Sequence, residues 1–188
     1  MFETTSGANA KPYIYRRRWV VVEPPGLPGV SHTGPIPVPK LTACRILSSD
    51  AVASVTGVTP TRLPEPDTFS PSGQGAVIIT SVCGYLFGEK VTATSGRSVY
   101  VFYIAARNTS DALVEFGQFQ QHSTFHVWKS VSGIGEQAVL ASNGREARIL
   151  ALHQNEIIET EITGFDSASQ PRLVQRLARE AARRAWGQ

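Results

Sequence analysis

Three features of the chain predict an α+β sandwich in a single α/β domain. Its sheet is mainly antiparallel with about five to six strands, packed by a short N-terminal helix, a middle helix and a C-terminal amphipathic helix. The first feature is a pair of apolar, β-branched runs at residues 76–87 and 98–105, the composition of buried strands. The second is a set of shorter runs at 137–141, 146–153 and 156–162. Asn143-Gly144 and Gln154-Asn155 separate them and suit tight reversals between antiparallel neighbours. The third is 170–186, where apolar residues recur at helical spacing.

The elements follow in order. Residues 1–11 are small and polar, a composition of unstructured termini. Residues 13–22 have strand composition, interrupted by Arg16, Arg17 and Arg18 ahead of Trp19. They read as a solvated edge segment, with a juxtamembrane or nucleic-acid contact as the sharper alternative. Pro24, Pro25, Pro28, Pro35, Pro37 and Pro39 follow. Each fixes φ and removes a donor, so residues 1–40 form an extended Pro/Gly-rich segment and the folded domain spans 41–188. Ser48 or Ser49 is placed to cap a helix over 50–56, with Asp50 in its first turn and Gly57 as its left-handed stop. Val52 and Val55 form its inner face.

Residues 58–75 carry four prolines and read as a long loop. After the two long strands, Asn108-Thr-Ser-Asp111 signals a helix start. That helix runs to about residue 121, with Ala112, Leu113, Phe116 and Phe119 facing inward. Ser132-Gly-Ile-Gly135 is a turn. The final helix has Ser169 as its cap and Pro171 in its first turn. Leu173, Val174, Leu177, Ala178, Ala181 and Ala185 lie on one face. Arg172, Arg176, Arg179 and Arg183, spaced four, three and four, form a stripe on the other. A solvated face is the plain reading of that stripe; a surface for an acidic partner or anionic lipid is the alternative.

Composition bounds the function. The chain has 188 residues, 41% hydrophobic and 18% charged, the profile of a lightly charged globular protein. No apolar run approaches the roughly 18 residues of a membrane span. Residues 1–40 carry five Lys/Arg against two acids, 41–171 eight against twelve, and 172–188 five against one. The basic character therefore sits at the ends. This argues against nucleic-acid binding, which asks for a basic patch interleaved with aromatics.

No catalytic constellation, cofactor motif or metal set emerges. His122 and His126 are four apart but have no third ligand in reach. Gly133-Ile-Gly135 lacks the third glycine of a dinucleotide loop. Cys83 lies in an apolar run that disfavours a thiolate nucleophile. The expectation is a non-catalytic domain that binds a protein partner or a small apolar ligand. The alternative is an enzyme with a site assembled from scattered residues, or a cytoplasmic accessory protein with basic termini. The two cysteines alone leave a bridge and two free thiols both open.

The run Cys44-Arg-Ile-Leu-Ser-Ser-Asp-Ala-Val-Ala-Ser-Val-Thr-Gly57, then Ser81-Val-Cys-Gly-Tyr85, then Gly133-Ile-Gly-Glu-Gln-Ala138 resembles the DUF3558 family of actinobacterial lipoproteins. The likeness covers about residues 41–186. It implies an α/β sandwich, a disulfide between Cys44 and Cys83, and an extracytoplasmic site in the cell envelope. Membrane association would come through a removed signal, a lipid anchor or a complex. The family carries no activity across. Residues 1–40 depart from its pattern, showing neither a signal-like apolar core nor a lipobox cysteine.

Overall fold

A computed structural model describes residues 35–64, 67–71, 78–88 and 96–187. The expected strand at 13–22, with Arg16, Arg17, Arg18 and Trp19, lies outside the described residues, as does the reversal between the two long strands. The order is α1 (Ala43–Ile46), α2 (Ser49–Thr56), β1 (Thr61–Arg62), β2 (Ser70–Pro71), β3 (Ile78–Phe87), β4 (Arg97–Ala106), α3 (Thr109–Gln121), β5 (Lys129–Ser130), β6 (Gln137–Ser142), β7 (Glu146–His153), β8 (Glu156–Thr163) and α4 (Gln170–Trp186). The α+β expectation holds, with eight strands among the described residues rather than five or six. The additional ones are two-residue pieces, two inside the 58–75 loop and one just ahead of the turn at 132–135.

All strands join one antiparallel sheet in the order β1-β3-β4-β8-β7-β6-β5, with β2 also on β3. Because side chains alternate along each strand, the sheet has two apolar faces. On one, Cys83, Tyr85, Val99, Val101, Ile149, Ala151, Ile158 and Ile162 pack against α1, α2 and α4. On the other, Ile78, Ile104, Leu150, Leu152 and Ile157 pack against Ala112 and Phe116 of α3.

The helix ends follow the expected chemistry with two corrections. Ser48 caps α2, its Oγ accepting from Ala51 N–H at 3.4 Å, and Gly57 closes it at φ +74°. Asn108 Oδ1 accepts from Asp111 N–H at 2.9 Å at the start of α3. Ser169 stands before α4 without accepting from it. Its Oγ instead donates to the Asp166 carbonyl at 2.9 Å, while Asp166 Oδ2 accepts Ser169 N–H at 3.0 Å. The acid three residues upstream thus closes the turn that leads into α4, and no side chain caps the helix itself. Leu113, expected inward, is 46% exposed. Ala112 and Phe116 occupy the narrow contact stripe of α3, and Leu113, one residue or about 100° beyond Ala112, turns away from it.

Helix α4 is held at both ends. At its start, buried Gln170 donates from Nε2 to the carbonyls of Phe165 at 2.8 Å and Arg145 at 3.1 Å. At its end, Trp186 Nε1 donates to Glu156 Oε2 at 2.7 Å, and the Tyr103 hydroxyl donates to the same oxygen at 2.6 Å. Burial, reinforced by the Glu156 carboxylate, raises the Tyr103 hydroxyl well above its ordinary range and keeps it a donor. The turn at 132–135 seats Ile134 in the core. Gly135 has φ +60°, and a Cβ there would collide with the Leu152 carbonyl, so the turn requires glycine at that position.

Candidate functional site

The two cysteines form a disulfide with Cα atoms 5.0 Å apart. It lies in the larger core: Cys83 is fully buried in β3 and Cys44 nearly so in α1. Ser81, two residues along β3, accepts Ala43 N–H on Oγ at 3.0 Å. The α1 turn is therefore tied to the sheet by a covalent bond and a buried hydrogen bond. The Tyr85 hydroxyl lies 3.2 Å from Cys83 Sγ and donates to the Leu47 carbonyl. Burial pushes that hydroxyl up to about 12, so it stays protonated and continues to donate. These contacts fix the chain from 43 to 47, and so the start of α2.

With α2 fixed, its outer edge forms a groove with α4. Arg172, Arg176, Arg179 and Arg183 are all exposed on α4, while Val174, Leu177, Ala178, Ala181 and Ala182 are buried beneath them. Leu173 and Ala185 are half-buried, because they flank the apolar stripe at the two ends of the helix. An open groove of about 340 Å³ runs between Val55 of α2, Gly133 and the α4 residues Arg176, Arg179, Glu180, Ala182 and Arg183. It continues into a smaller recess of about 220 Å³ bordered by Asp50, Ser54, Val55, Glu180 and Arg184.

Glu180 lines both. It pairs with Arg183 at 2.9 Å and with Arg184 at 2.7 Å. Hydrogen bonds from Arg183 and then Arg184, opposed by partial burial, hold its carboxyl down at about 2. Arg184 also donates to Ser48 Oγ at 3.3 Å, bridging α4 to the cap of α2. The sequence located the arginine stripe but not the opposite wall. Val55, Ser54 and Gly133 lie far away in the chain and meet α4 only through the fold. Glu180, three and four residues before Arg183 and Arg184, had a local signal in its spacing.

A second group was missed altogether. Arg148 of β7 is 2% exposed and pairs with Glu159 at 3.1 Å and Glu161 at 2.6 Å, both on β8. It stands directly opposite Glu161 in the ladder. The Phe125 ring covers the guanidinium, its centre 5.4 Å from Cζ, and Trp128 packs edge-on to Phe125 at 5.7 Å. The only sequence signal was the alternate placing of Glu146 and Arg148 in β7 and of Glu159 and Glu161 in β8, which reads equally as a solvated face.

Among the described residues no group of three or more His, Cys, Asp or Glu side chains is placed to hold a metal ion. His122 and His126 are exposed after α3.

No family model matches the chain, and no curated protein matches it. Among solved structures it is similar to the extracellular domain of PknH from Mycobacterium tuberculosis. The identity is 9% and the TM-score 0.43, over 78% of this chain and 97% of that one. A likeness at that level bears on neither activity nor partner.

Proposed function

We propose that this chain is a non-catalytic domain of the cell envelope, outside the cytoplasm, that binds a protein partner through its α2–α4 face. The observation that carries this reading is the buried Cys44–Cys83 disulfide. Structural disulfides form and persist in oxidising compartments, and this one positions a wall of the groove. The motifs resembling the DUF3558 family point to the same compartment.

The groove supports a protein partner over a small apolar ligand. It is open and rimmed by charge, whereas small-molecule sites are enclosed and mainly apolar. A catalytic reading asks for titratable groups converging on a cavity. The paired glutamates that come nearest to it, Glu159 and Glu161, are engaged by Arg148 under Phe125.

Two measurements test the proposal. Thiol titration of the protein taken from its own compartment, denatured without reductant, is expected to find no reactive thiol; two per chain would overturn the extracytoplasmic assignment. A photocrosslinking residue replacing exposed Ser54 on the groove wall is expected to capture a defined partner in cells, and one replacing exposed His126 is not. Equal capture at both positions, or none at Ser54, would overturn the binding face.

A further inference from the structure

We infer that the α2–α4 groove takes an acidic polypeptide segment, whose carboxylates pair with Arg172, Arg176 and Arg179. This rests on the proposed binding role and names the chemistry of the partner.

The argument is one of uncompensated charge. Residues 172–188 hold five arginines and one acid. That acid, Glu180, is committed to Arg183 and Arg184, and its depressed carboxyl stays ionised throughout the neutral range. Arg172, Arg176 and Arg179 have no acidic partner among the described residues. At 1.5 Å rise per residue the stripe from Arg172 to Arg183 runs for about 16 Å. Same-side residues of an extended segment repeat about every 6.6 Å, so alternate acids could meet successive arginines one helical turn apart. Guanidinium groups suit this role because they bind carboxylates bidentately. Val55 and Ala182 add a narrow apolar strip beside the charges.

The same surface fits a membrane less well. A helix that lies on lipid couples its basic residues to apolar side chains that insert. Among the described residues the exposed large apolar ones are Val38, Val58, Leu113, Val114 and Val127, and none belongs to α4. Leu113 and Val114 lie on α3, across the sheet. Nucleic acid would call for aromatic stacking beside the arginines; Trp186 is half-buried, with its Nε1 donated to Glu156.

The test uses the full chain and a fluorescent oligoglutamate peptide, with oligoglutamine as the neutral control and anisotropy as the readout. The expected result is salt-sensitive binding of oligoglutamate that weakens about tenfold or more in the Arg176→Glu/Arg179→Glu variant. Lys40→Glu/Lys129→Glu makes the same change in net charge at exposed residues outside α4 and is expected to leave binding within about twofold. Circular dichroism confirms that both variants fold. Equal loss in the two variants, or no loss in the first, overturns the inference. So does arginine-dependent binding to phosphatidylglycerol vesicles without binding to oligoglutamate, which would identify a membrane surface instead. A crosslinked partner at Ser54 whose contact segment lacks clustered acids would overturn this inference alone and leave the partner-binding reading standing.

Discussion

The two faces of the sheet are closed by different means. The face under α1, α2 and α4 is apolar, crosslinked and covered by a helix anchored at both ends. α4 buries Val174, Leu177, Ala178, Ala181 and Ala182, and the disulfide fastens α1 beside it. The opposite face is covered by α3, which buries only Ala112 and Phe116 and leaves Leu113 and Val114 exposed. There β7 and β8 fill part of the space with the Arg148, Glu159 and Glu161 cluster under Phe125. A rigid apolar face can present a charged stripe in fixed geometry, because its stability does not draw on those charges. A face built on buried charge depends on every member of the set.

The largest expected effect follows from that dependence. Arg148→Met should destabilise the fold by roughly 3–5 kcal/mol, since it removes the buried arginine that pairs with buried Glu159 and partly buried Glu161. Adding Glu159→Leu and Glu161→Leu should recover most of the loss, because well-packed apolar side chains commonly replace buried ion pairs at little cost. Urea denaturation of the single and triple variants measures both. A triple variant as unstable as the single one would mean that the cluster fixes the β7–β8 pairing itself.

Next comes the crosslink. Cys44→Ala/Cys83→Ala releases a connection between residues 39 apart in sequence and should cost about 3–4 kcal/mol on chain-entropy grounds. The loss should fall on the α1 side. Hydrogen exchange in the variant is expected to rise in α1 and α2 before α3, and uniform acceleration would contradict a local staple.

A matched pair of leucines compares the helices directly. Leu177→Ala removes a fully buried side chain of α4 and should cost roughly 2–5 kcal/mol. Leu113→Ala removes one that is 46% exposed and should stay within about 0.5 kcal/mol. In the unmodified protein, α3 amides should also exchange through local opening faster than those of α4. Similar denaturation midpoints for the two variants would show that α3 is held more firmly than its buried contacts indicate.

The smallest effect concerns pH. The carboxyl of Glu180 stands at about 2 in the folded chain, below its value of about 4.3 when unfolded. Its contribution is therefore complete above the unfolded value and is lost as pH falls through about 2. Solvent screening on this accessible helix limits it to under about 1 kcal/mol. Glu180→Gln should lower the midpoint slightly at neutral pH, and the difference from the parent should vanish at the acid end. A difference that grew on acidification would reverse the assigned sign.

Much of the local structure was legible in the chain. Ser48 and Asn108 before their helices, Gly57 after one, and the apolar and arginine rows of 170–186 each act through bonds or spacings within a few residues. Such signals survive without knowledge of the partner element. The candidate site was half legible for the same reason: its arginine wall is one helix, read by period, while Val55 and Gly133 join it only when the sheet brings them together. The motif likeness paired Cys44 with Cys83, whereas the fold shows which wall that pair holds.

What the sequence alone determined was the long strands and helices, the Ser48, Asn108 and Gly57 caps and the polarity of α4, because those depend on short-range backbone and side-chain chemistry. Only the tertiary structure decided the strand order, the outward turn of Leu113 and the burial of Arg148. An alternating strand carries the same pattern whether its polar face meets water or a covering loop, and a helix cannot encode how wide a stripe its neighbour will cover. Those outcomes depend on which surfaces meet, a property of the assembled sheet rather than of any segment within it.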